Sequence, residues 1–506
     1  MHINYLGGLR ELKKKQNTST KSVLVTHKSL NSTDSNKLSF MSIPSIAFKG
    51  NMVIPTLPKG LRAQPSPKIK IHDDSILKGT IKKQMVDYKV YPQDPLVTKT
   101  SIYSLEGTVM PGPENNRIKT VDDDTQVARP NKEGNYIEDV KNPQFDRVNA
   151  FAFVHKTLKM YEKALGREIP WAFPAEQLDV HPLAGVMMNA YYSRWDHQIK
   201  LFYFQNRFDS SETCYTSKMA DVITHETGHA VLDGLRPSYI GWGSHGGAIH
   251  EGFGDSTAML VSMFDDKILD QVIEQTDGNL QKENLIASLG EQFGKAVYGN
   301  KLYLRNAIND LKMSDFGSGA ESKEVHNFGR LFGAMFYDII CDMTAEHKKS
   351  MPLKEALVKT RDDLVKMFAR AMGDFAPPGN VYYHDIAKAF LKADKEDFNG
   401  KYQKLLASVF SNREILDSSA IKEWEAQQRN LPSIKLPPKT IASKTNLIEF
   451  VNNNKSALGL PKDNVYQLES AYTNNFGETF IQLKTPKKIE IPTSEEFGGK
   501  QFSITI

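Results

Sequence analysis

Two histidines four residues apart, His225 and His229, with Glu226 directly after the first, constrain this chain more than any other feature of its sequence. Four residues turn an α-helix through about 400°, so both histidines lie on one face, one turn apart, and can reach a single ion. Glu226 lies about 100° further around the helix, beside such an ion. The segment therefore predicts a helix that carries a zinc site, with a glutamate placed to deprotonate a water that the zinc activates.

The surrounding sequence predicts where this helix begins and ends. Thr216 or Ser217 can cap its first turn, and the helix stops one residue before Pro237, because proline cannot continue the hydrogen-bond ladder. A second helix with an apolar face is predicted from about residue 248 to residue 264. A third is predicted to begin near Val325. The histidine motif is therefore expected in a helical part of the chain.

A catalytic zinc site needs a third ligand, and Glu251 on the second predicted helix can supply it. If the two helices pack antiparallel, Glu251 points back toward the two histidines. Two imidazoles and one carboxylate, with the fourth position open, are typical of catalytic zinc, whereas structural zinc sites close all four positions. Asp255 follows one turn later and can accept the second ring N–H of a ligand histidine. We therefore expect one zinc ion per chain.

Length and composition indicate several domains and exclude some classes of protein. The 506 residues divide by composition into a loosely ordered arm (1–50), a β-rich module (51–141), a catalytic domain (142–430) and a small C-terminal β module (431–506). A net charge of +4 with scattered Lys and Arg does not favour nucleic-acid binding. The sequence contains no run of about 18 consecutive apolar residues, so no membrane span is predicted.

The cellular location stays open. The N-terminus shows no recognisable secretory signal, so we expect a soluble protein that stays in the cytoplasm or is exported by a non-standard route. Cys214 and Cys341 are too few for a disulfide framework and predict buried free thiols. Whether the N-terminal region inhibits the rest of the chain until it is cut also stays open.

The HETGH motif followed by ExxxD resembles the thermolysin-type gluzincins, a group of zinc peptidases that includes the fungalysins. NAYY followed by IKLFYF is similar to their substrate-binding edge strand, VHNFG to their Val-His motif, and YLRN to the segment with their substrate-binding arginine. Order and spacing agree from about residue 142 to residue 416. The resemblance implies an α+β, thermolysin-like catalytic domain with a β-rich N-terminal half, an α-helical C-terminal half and zinc in the cleft. An extra β-rich N-terminal module and a small C-terminal β tail would flank it.

The resemblance also implies roles for individual residues. His225, His229 and Glu251 would bind zinc, Glu226 would be the general base, and Asp255 would orient a ligand histidine. The other positions that it implies are the oxyanion-stabilising His326 with its orienting acid Glu321, the peptide-binding Asn189 and Ala190, the carbonyl-binding Arg305, and the pocket residues Val222 and Leu304.

The chain departs from the family pattern at several positions. Asp221 matches a calcium ligand of the family, but Ser262 stands where a partner acid is expected, so calcium is not expected at the family's double site. His250 replaces the asparagine that usually precedes the glutamate ligand. The family's second oxyanion donor is a tyrosine, for which Tyr239 is the candidate here, while Trp242 holds the position of equal offset.

These patterns predict a zinc-dependent metallopeptidase that acts on peptide or protein substrates, with an endopeptidase preferred. Two alternatives stay open. One is a catalytically inactive, zinc-containing binding or structural protein, which the unassigned residues 1–141 and 431–506 motivate. The other is an aminopeptidase, which would need an acidic anchor for the substrate amine that the sequence does not clearly show.

Overall fold

The computed structural model describes residues 84–121, 126–241, 243–317, 324–429, 443–458, 460–475, 478–484, 488–491 and 502–505. From Gln84 onward these residues belong to one compact unit. They form a mixed α+β structure, with β elements in the N-terminal half and helices in the C-terminal half. The predicted arm at 1–50 lies outside the described residues, and the domain boundaries at 141 and 430 stay predictions.

The strands described between residues 84 and 317 form three two-stranded sheets and one four-stranded sheet. In chain order they are β1 (Met85–Val90), β2 (Ser101–Glu106), β3 (Ile118–Thr120), β4 (Leu178–His181), β5 (Ala190–Ser193), β6 (Gln198–Leu201), β7 (Tyr203–Gln205), β8 (Thr213–Tyr215), β9 (Ser288–Leu289) and β10 (Arg305–Asn306). The four-stranded sheet has the order β3, β4, β6, β5, with β5 antiparallel to β6 and the other neighbours parallel. Within the described residues, β5 is therefore an edge strand with one side free of a strand partner.

The helices follow the predicted order. They are α1 (Pro143–Leu165), α2 (Ala220–Leu235), α3 (Gly243–Ser262), α4 (Asp266–Thr276), α5 (Glu291–Tyr298), α6 (Val325–Lys348), α7 (Leu353–Arg370), α8 (Tyr383–Phe398), α9 (Gln403–Asn412), α10 (Ser418–Arg429) and α11 (Lys444–Asn453), with 3-10 turns at Thr216–Lys218 and Met313–Asp315 and a π turn at Ala371–Phe375. Helices α1, α2, α3, α6 and α7 share one large buried core. None of the helices in the described ranges combines the length and apolar character that a bilayer crossing requires.

The predicted cap of α2 is wrong. Thr216 and Ser217 lie in a separate 3-10 turn, and the α-helix begins only at Ala220. The Ser217 hydroxyl donates to the Asp146 carboxylate at 2.7 Å and does not cap α2. The Ala220 N–H is in the first turn of α2, where no carbonyl of the helix can accept it. It donates instead to the Gln93 carbonyl at 2.6 Å. A distant loop therefore replaces the local cap.

Glycines let α3 pack closely between α2 and α6. A Cβ atom at Gly254 would lie 2.7 Å from the His225 ring, and one at Gly252 would overlap the side chain of Phe332. Both positions therefore require a residue without a side chain if the helices are to approach this closely. The approach sets Glu251, the residue before Gly252, beside the histidine face of α2.

Four strands follow the last helix in the described part of the chain. They are β11 (Gln467–Thr473), β12 (Thr479–Lys484), β13 (Lys488–Ile491) and β14 (Phe502–Thr505), paired as two antiparallel hairpins. The Tyr472 hydroxyl donates to Asp374 at 2.9 Å, and the buried Arg370 pairs with both Asp374 and Glu478. The first hairpin is thus linked to the π turn by the Tyr472 hydroxyl and to the end of α7 by the Arg370–Glu478 ion pair.

We expect Gly252→Ala to lower the free energy of unfolding by about 1–3 kcal/mol, because the new methyl group overlaps Phe332 in a packed interface. Gly333→Ala is the matched control on α6, since a Cβ atom there would meet Asp255 and Met259 only at ordinary contact distance, 3.8 Å. Helix propensity alone should make this second change neutral or stabilising by up to about 1 kcal/mol. Thermal and denaturant unfolding of both variants measures the difference, and equal stability would contradict the packing described above.

Candidate metal and catalytic site

Helices α2 and α3 bring His225, His229 and Glu251 together. One nitrogen or oxygen atom from each lies within 4.8 Å of the others, and within the described ranges these residues are the one group of three or more His, Cys, Asp or Glu that could hold a metal ion. Nε2 of His225 and Nε2 of His229 lie 3.6 and 3.7 Å from the two Glu251 carboxylate oxygens. All three side chains are buried. The helical spacing therefore places the predicted donors around one point.

The charges in this group are strongly coupled. Burial opposes the charge on Glu251, but the adjacent imidazoles, first among them His225, hold its pKa well below its usual range. Burial, followed by the charge of His225, holds the pKa of His229 well below its usual range. Burial lowers the pKa of His225, but the adjacent carboxylates of Asp255 and Glu251 outweigh it and raise the pKa to about 9. The group thus offers an ionised carboxylate and a neutral imidazole to a cation.

Asp255 lies behind the first histidine. Its Oδ1 is 2.8 Å from Nδ1 of His225, while Nε2 of the same ring faces Glu251. A carboxylate on one ring nitrogen determines which nitrogen carries the proton and how the ring is oriented. The structure therefore brings Asp255 to the place that the sequence predicts for it.

Glu226 points to the edge strand. Its Oε2 accepts a hydrogen bond from the Tyr192 backbone N–H at 2.9 Å, and burial raises its pKa to about 7. In an antiparallel ladder, alternate residues direct their backbone groups to opposite sides. Because Tyr192 directs its N–H toward α2, Ala190 also turns its backbone away from β6 and toward this side. The open edge of β5 therefore faces the helix that carries the histidines.

The residues next to this edge can receive a ligand. Oδ1 of Asn189 is buried and has no hydrogen-bond partner in the structure. Val222 and Leu304, the predicted pocket residues, are half-buried and pack on the same small apolar cluster, together with Met188. Sequence reasoning missed Met188, although it directly precedes the predicted peptide-binding Asn189. The cluster itself consists of Phe204, Cys214, Met219, Phe293, Ala296 and Val297.

Arg305, at the start of β10, lies against the acids of the site. Its Nη1 donates to Glu251 at 3.0 Å, and its Nη2 lies 3.4 Å from Asp255. Its Nε is buried and has no hydrogen-bond partner. The structure thus places Arg305 beside the predicted metal ligands and leaves one N–H for another acceptor.

His326 stands at the first turn of α6. Its Nε2 lies 3.6 Å from Oε1 of Glu251, is buried and has no hydrogen-bond partner. Its Nδ1 is hydrogen-bonded to the carboxylate of Glu324, a residue that sequence reasoning missed. The signal that could have identified it is its place directly before an apolar helix, where acids cap helices. Glu321, the acid that the resemblance assigns to this histidine, lies outside the described residues.

Tyr239 is buried in the core after α2. It is fully inaccessible, and its hydroxyl donates to the Pro377 carbonyl at 2.7 Å. Among the contacts of the described residues, none joins Tyr239 to His225, His229 or Glu251. Its predicted role as an oxyanion donor would require the bond to Pro377 to break. Trp242, which holds the position of equal offset, lies outside the described residues.

Three buried acids, Asp94, Asp221 and Glu291, interact near the N-terminal end of α2. Asp221 accepts hydrogen bonds from the backbone N–H groups of Val222 and Gly290. Burial, followed by the charge of Asp221, raises the pKa of Asp94 to about 7, and the same causes raise that of Glu291 well above its usual range. Burial thus disfavours the charged forms of Asp94 and Glu291. That calcium does not bind at the family's double site stays a prediction.

Comparison with known proteins gives one family. Residues 195–417 match the model of the fungalysin metallopeptidases, family M36, and no curated protein was found to match the chain. The matched segment contains the three clustered donors and Glu226, whereas Asn189 and Ala190 precede it. The family consists of thermolysin-like hydrolases that use zinc and act on peptides or proteins, so the resemblance seen in the sequence is confirmed. Residues 195–417 are therefore similar to the fungalysin metallopeptidases, a thermolysin-like family.

Proposed function

We propose that this protein is a zinc-dependent endopeptidase in which His225, His229 and Glu251 hold one zinc ion and Glu226 is the general base. The observation that carries the proposal is the convergence of the three donors within 4.8 Å of one another, beside Glu226, whose side chain reaches the open edge of β5. A metal site and a peptide-binding edge meet there.

The donors fit zinc. Two imidazole nitrogens and one carboxylate oxygen are the ligand set of catalytic zinc, and three protein donors leave a position for a reactant. The ionised Glu251 and the neutral His229 are already in the protonation states that ligands need. When bound, zinc supplies Lewis acidity that polarises a peptide carbonyl and acidifies water.

The edge strand positions the substrate. An extended peptide can add to β5 as a further strand, because the backbone of Ala190 is directed away from β6. The unpartnered Oδ1 of Asn189 accepts a backbone N–H of that peptide. Recognition along a strand needs no free terminus, which favours an endopeptidase over an aminopeptidase.

Glu226 moves the proton. The Tyr192 N–H holds one of its carboxylate oxygens at 2.9 Å and so fixes the carboxylate beside the peptide. Glu226 accepts a proton from water as the oxygen attacks the carbonyl carbon, and it then donates that proton to the leaving amine. The base thus stands between the metal ligands and the strand that presents the scissile bond.

Two further side chains bind the substrate: His326 contacts the developing oxyanion, and Arg305 contacts the carbonyl beyond the scissile bond. His326 Nε2, buried and without a partner, donates to the oxyanion, where removal of one such donor typically costs about 10²–10³-fold in kcat. Arg305 uses its free Nε–H for the carbonyl beyond the scissile bond. Val222, Leu304 and Met188 line the pocket for the side chain after the cut, so we expect an apolar residue there.

Replacing Glu226 tests its role as the base. Glu226→Gln should retain one zinc per chain, because it leaves all three donors unchanged, and should lower kcat/KM by about 10²–10⁴-fold. Elemental analysis and mass spectrometry of a mixed peptide library after incubation measure the two quantities. Glu274→Gln on the exposed face of α4 is the control for loss of one carboxylate. Full activity of the Glu226→Gln variant would contradict the assignment.

The cleavage pattern of the wild-type chain separates the alternatives. Internal cuts identify an endopeptidase, and stepwise loss of residues from peptide N-termini would identify an aminopeptidase. Zinc bound at one per chain without any cut, even after limited proteolysis of the N-terminal region, would indicate an inactive binding protein.

Replacing Tyr239 tests whether its hydroxyl has a structural or a catalytic role. Tyr239→Phe should lower the free energy of unfolding by roughly 1 kcal/mol, because the bond to the Pro377 carbonyl is lost, and should leave kcat within about threefold. Unfolding is measured in the Glu226→Gln background to prevent self-cleavage, and kcat in the otherwise wild-type chain. A large fall in kcat at unchanged stability would instead support the oxyanion role expected from the sequence.

A further inference from the structure

The carboxylate of Glu324 contacts both the backbone of the first turn of α6 and the side chain of His326. Its Oε1 accepts the His326 backbone N–H at 3.2 Å, and its Oε2 accepts the Asn327 backbone N–H at 2.9 Å. Glu324 therefore caps α6, as an acid at a helix N-terminus is expected to do. The same Oε1 is also hydrogen-bonded to Nδ1 in the side chain of His326. A cap alone does not require this third contact.

The third contact determines the direction of the imidazole. The two ring nitrogens lie on opposite sides of the ring, so a partner on Nδ1 aims Nε2 away from itself. Nε2 of His326 accordingly lies 3.6 Å from Oε1 of Glu251, buried and without a hydrogen-bond partner. The ring thus spans from the cap of α6 to the metal-ligand group on α3.

We propose that Glu324 is the positioning residue that holds His326 in its reactive orientation. The inference rests on the proposed function, because it assumes that His326, with a proton on both ring nitrogens, donates from Nε2 to the oxyanion. Glu324 acts only through His326 and does not touch the substrate. It takes the role that the resemblance to known peptidases assigns to Glu321.

Side-chain length separates the two functions of Glu324. A serine at this position can still accept an N–H of the first turn and cap the helix, but it is too short to reach Nδ1 of His326. A glutamine keeps the length and an acceptor oxygen, so it can preserve both contacts. Glu324→Ser therefore removes positioning and keeps the cap, and Glu324→Gln is the conservative rescue. Glu321→Gln tests the competing acid.

We expect Glu324→Ser to lower kcat by about 10–100-fold, the range typical when the partner that orients a metal-binding histidine is removed, with KM within about threefold. Its melting temperature, measured in the Glu226→Gln background, should stay near that of the parent because the cap is kept. Glu324→Gln should recover most of kcat, and Glu321→Gln should match the wild type. Wild-type kcat in Glu324→Ser, or an equal loss in Glu321→Gln, would overturn the inference.

Crystal structures of the Glu226→Gln protein with and without Glu324→Ser test the same inference without turnover. A His326 ring that rotates or loses its order in the double variant supports positioning by Glu324, and an unchanged ring overturns it. An inactive wild-type chain would refute the proposed function, while the orientation of this ring would still decide the role of Glu324. The two failures are thus distinguishable.

Discussion

The close approach of α3 to α2 and α6 is the constraint on which the site depends. Gly254 and Gly252 carry no side chain where α3 meets His225 and Phe332, so the backbones can come together at the level of Glu251. A carboxylate that lies 26 residues after the first histidine is thereby brought to 3.6 Å from it. Packing, and not the local sequence, completes the set of three donors.

This packing also buries several charges, which must compensate one another. Glu251 is surrounded by three imidazoles and the Arg305 guanidinium, and Asp255 lies behind His225. A buried carboxylate without such partners would be protonated instead. The same arrangement leaves Nε2 of His326 and Oδ1 of Asn189 buried without partners. The site therefore combines a compensated charged centre with free donors and acceptors, which suits the binding of a polar backbone.

Much of the helical framework could be predicted from the sequence, because apolar periodicity and Pro237 are local signals. The position of Glu251 opposite the histidines followed from the motif and the family resemblance together. The start of α2 could not be predicted, since the Gln93 carbonyl that satisfies Ala220 comes from a loop far away in the chain. Glu324 was missed for a similar reason: an acid before a helix indicates a cap, and its bond to an imidazole depends on the rotamer of that side chain.

By itself the sequence determined the chemistry that is available: two histidines one helical turn apart, a glutamate beside them and a second glutamate on the next helix. These are consequences of helical geometry, which depends only on residue spacing. The tertiary structure determined which polar groups are already hydrogen-bonded within the chain and which remain available to a ligand. In the folded chain the Tyr239 hydroxyl donates to the Pro377 carbonyl, and Nδ1 of His326 is hydrogen-bonded to Glu324. The open edge of β5 faces Glu226. Hydrogen bonds between distant segments depend on how whole elements pack, and no local pattern specifies them.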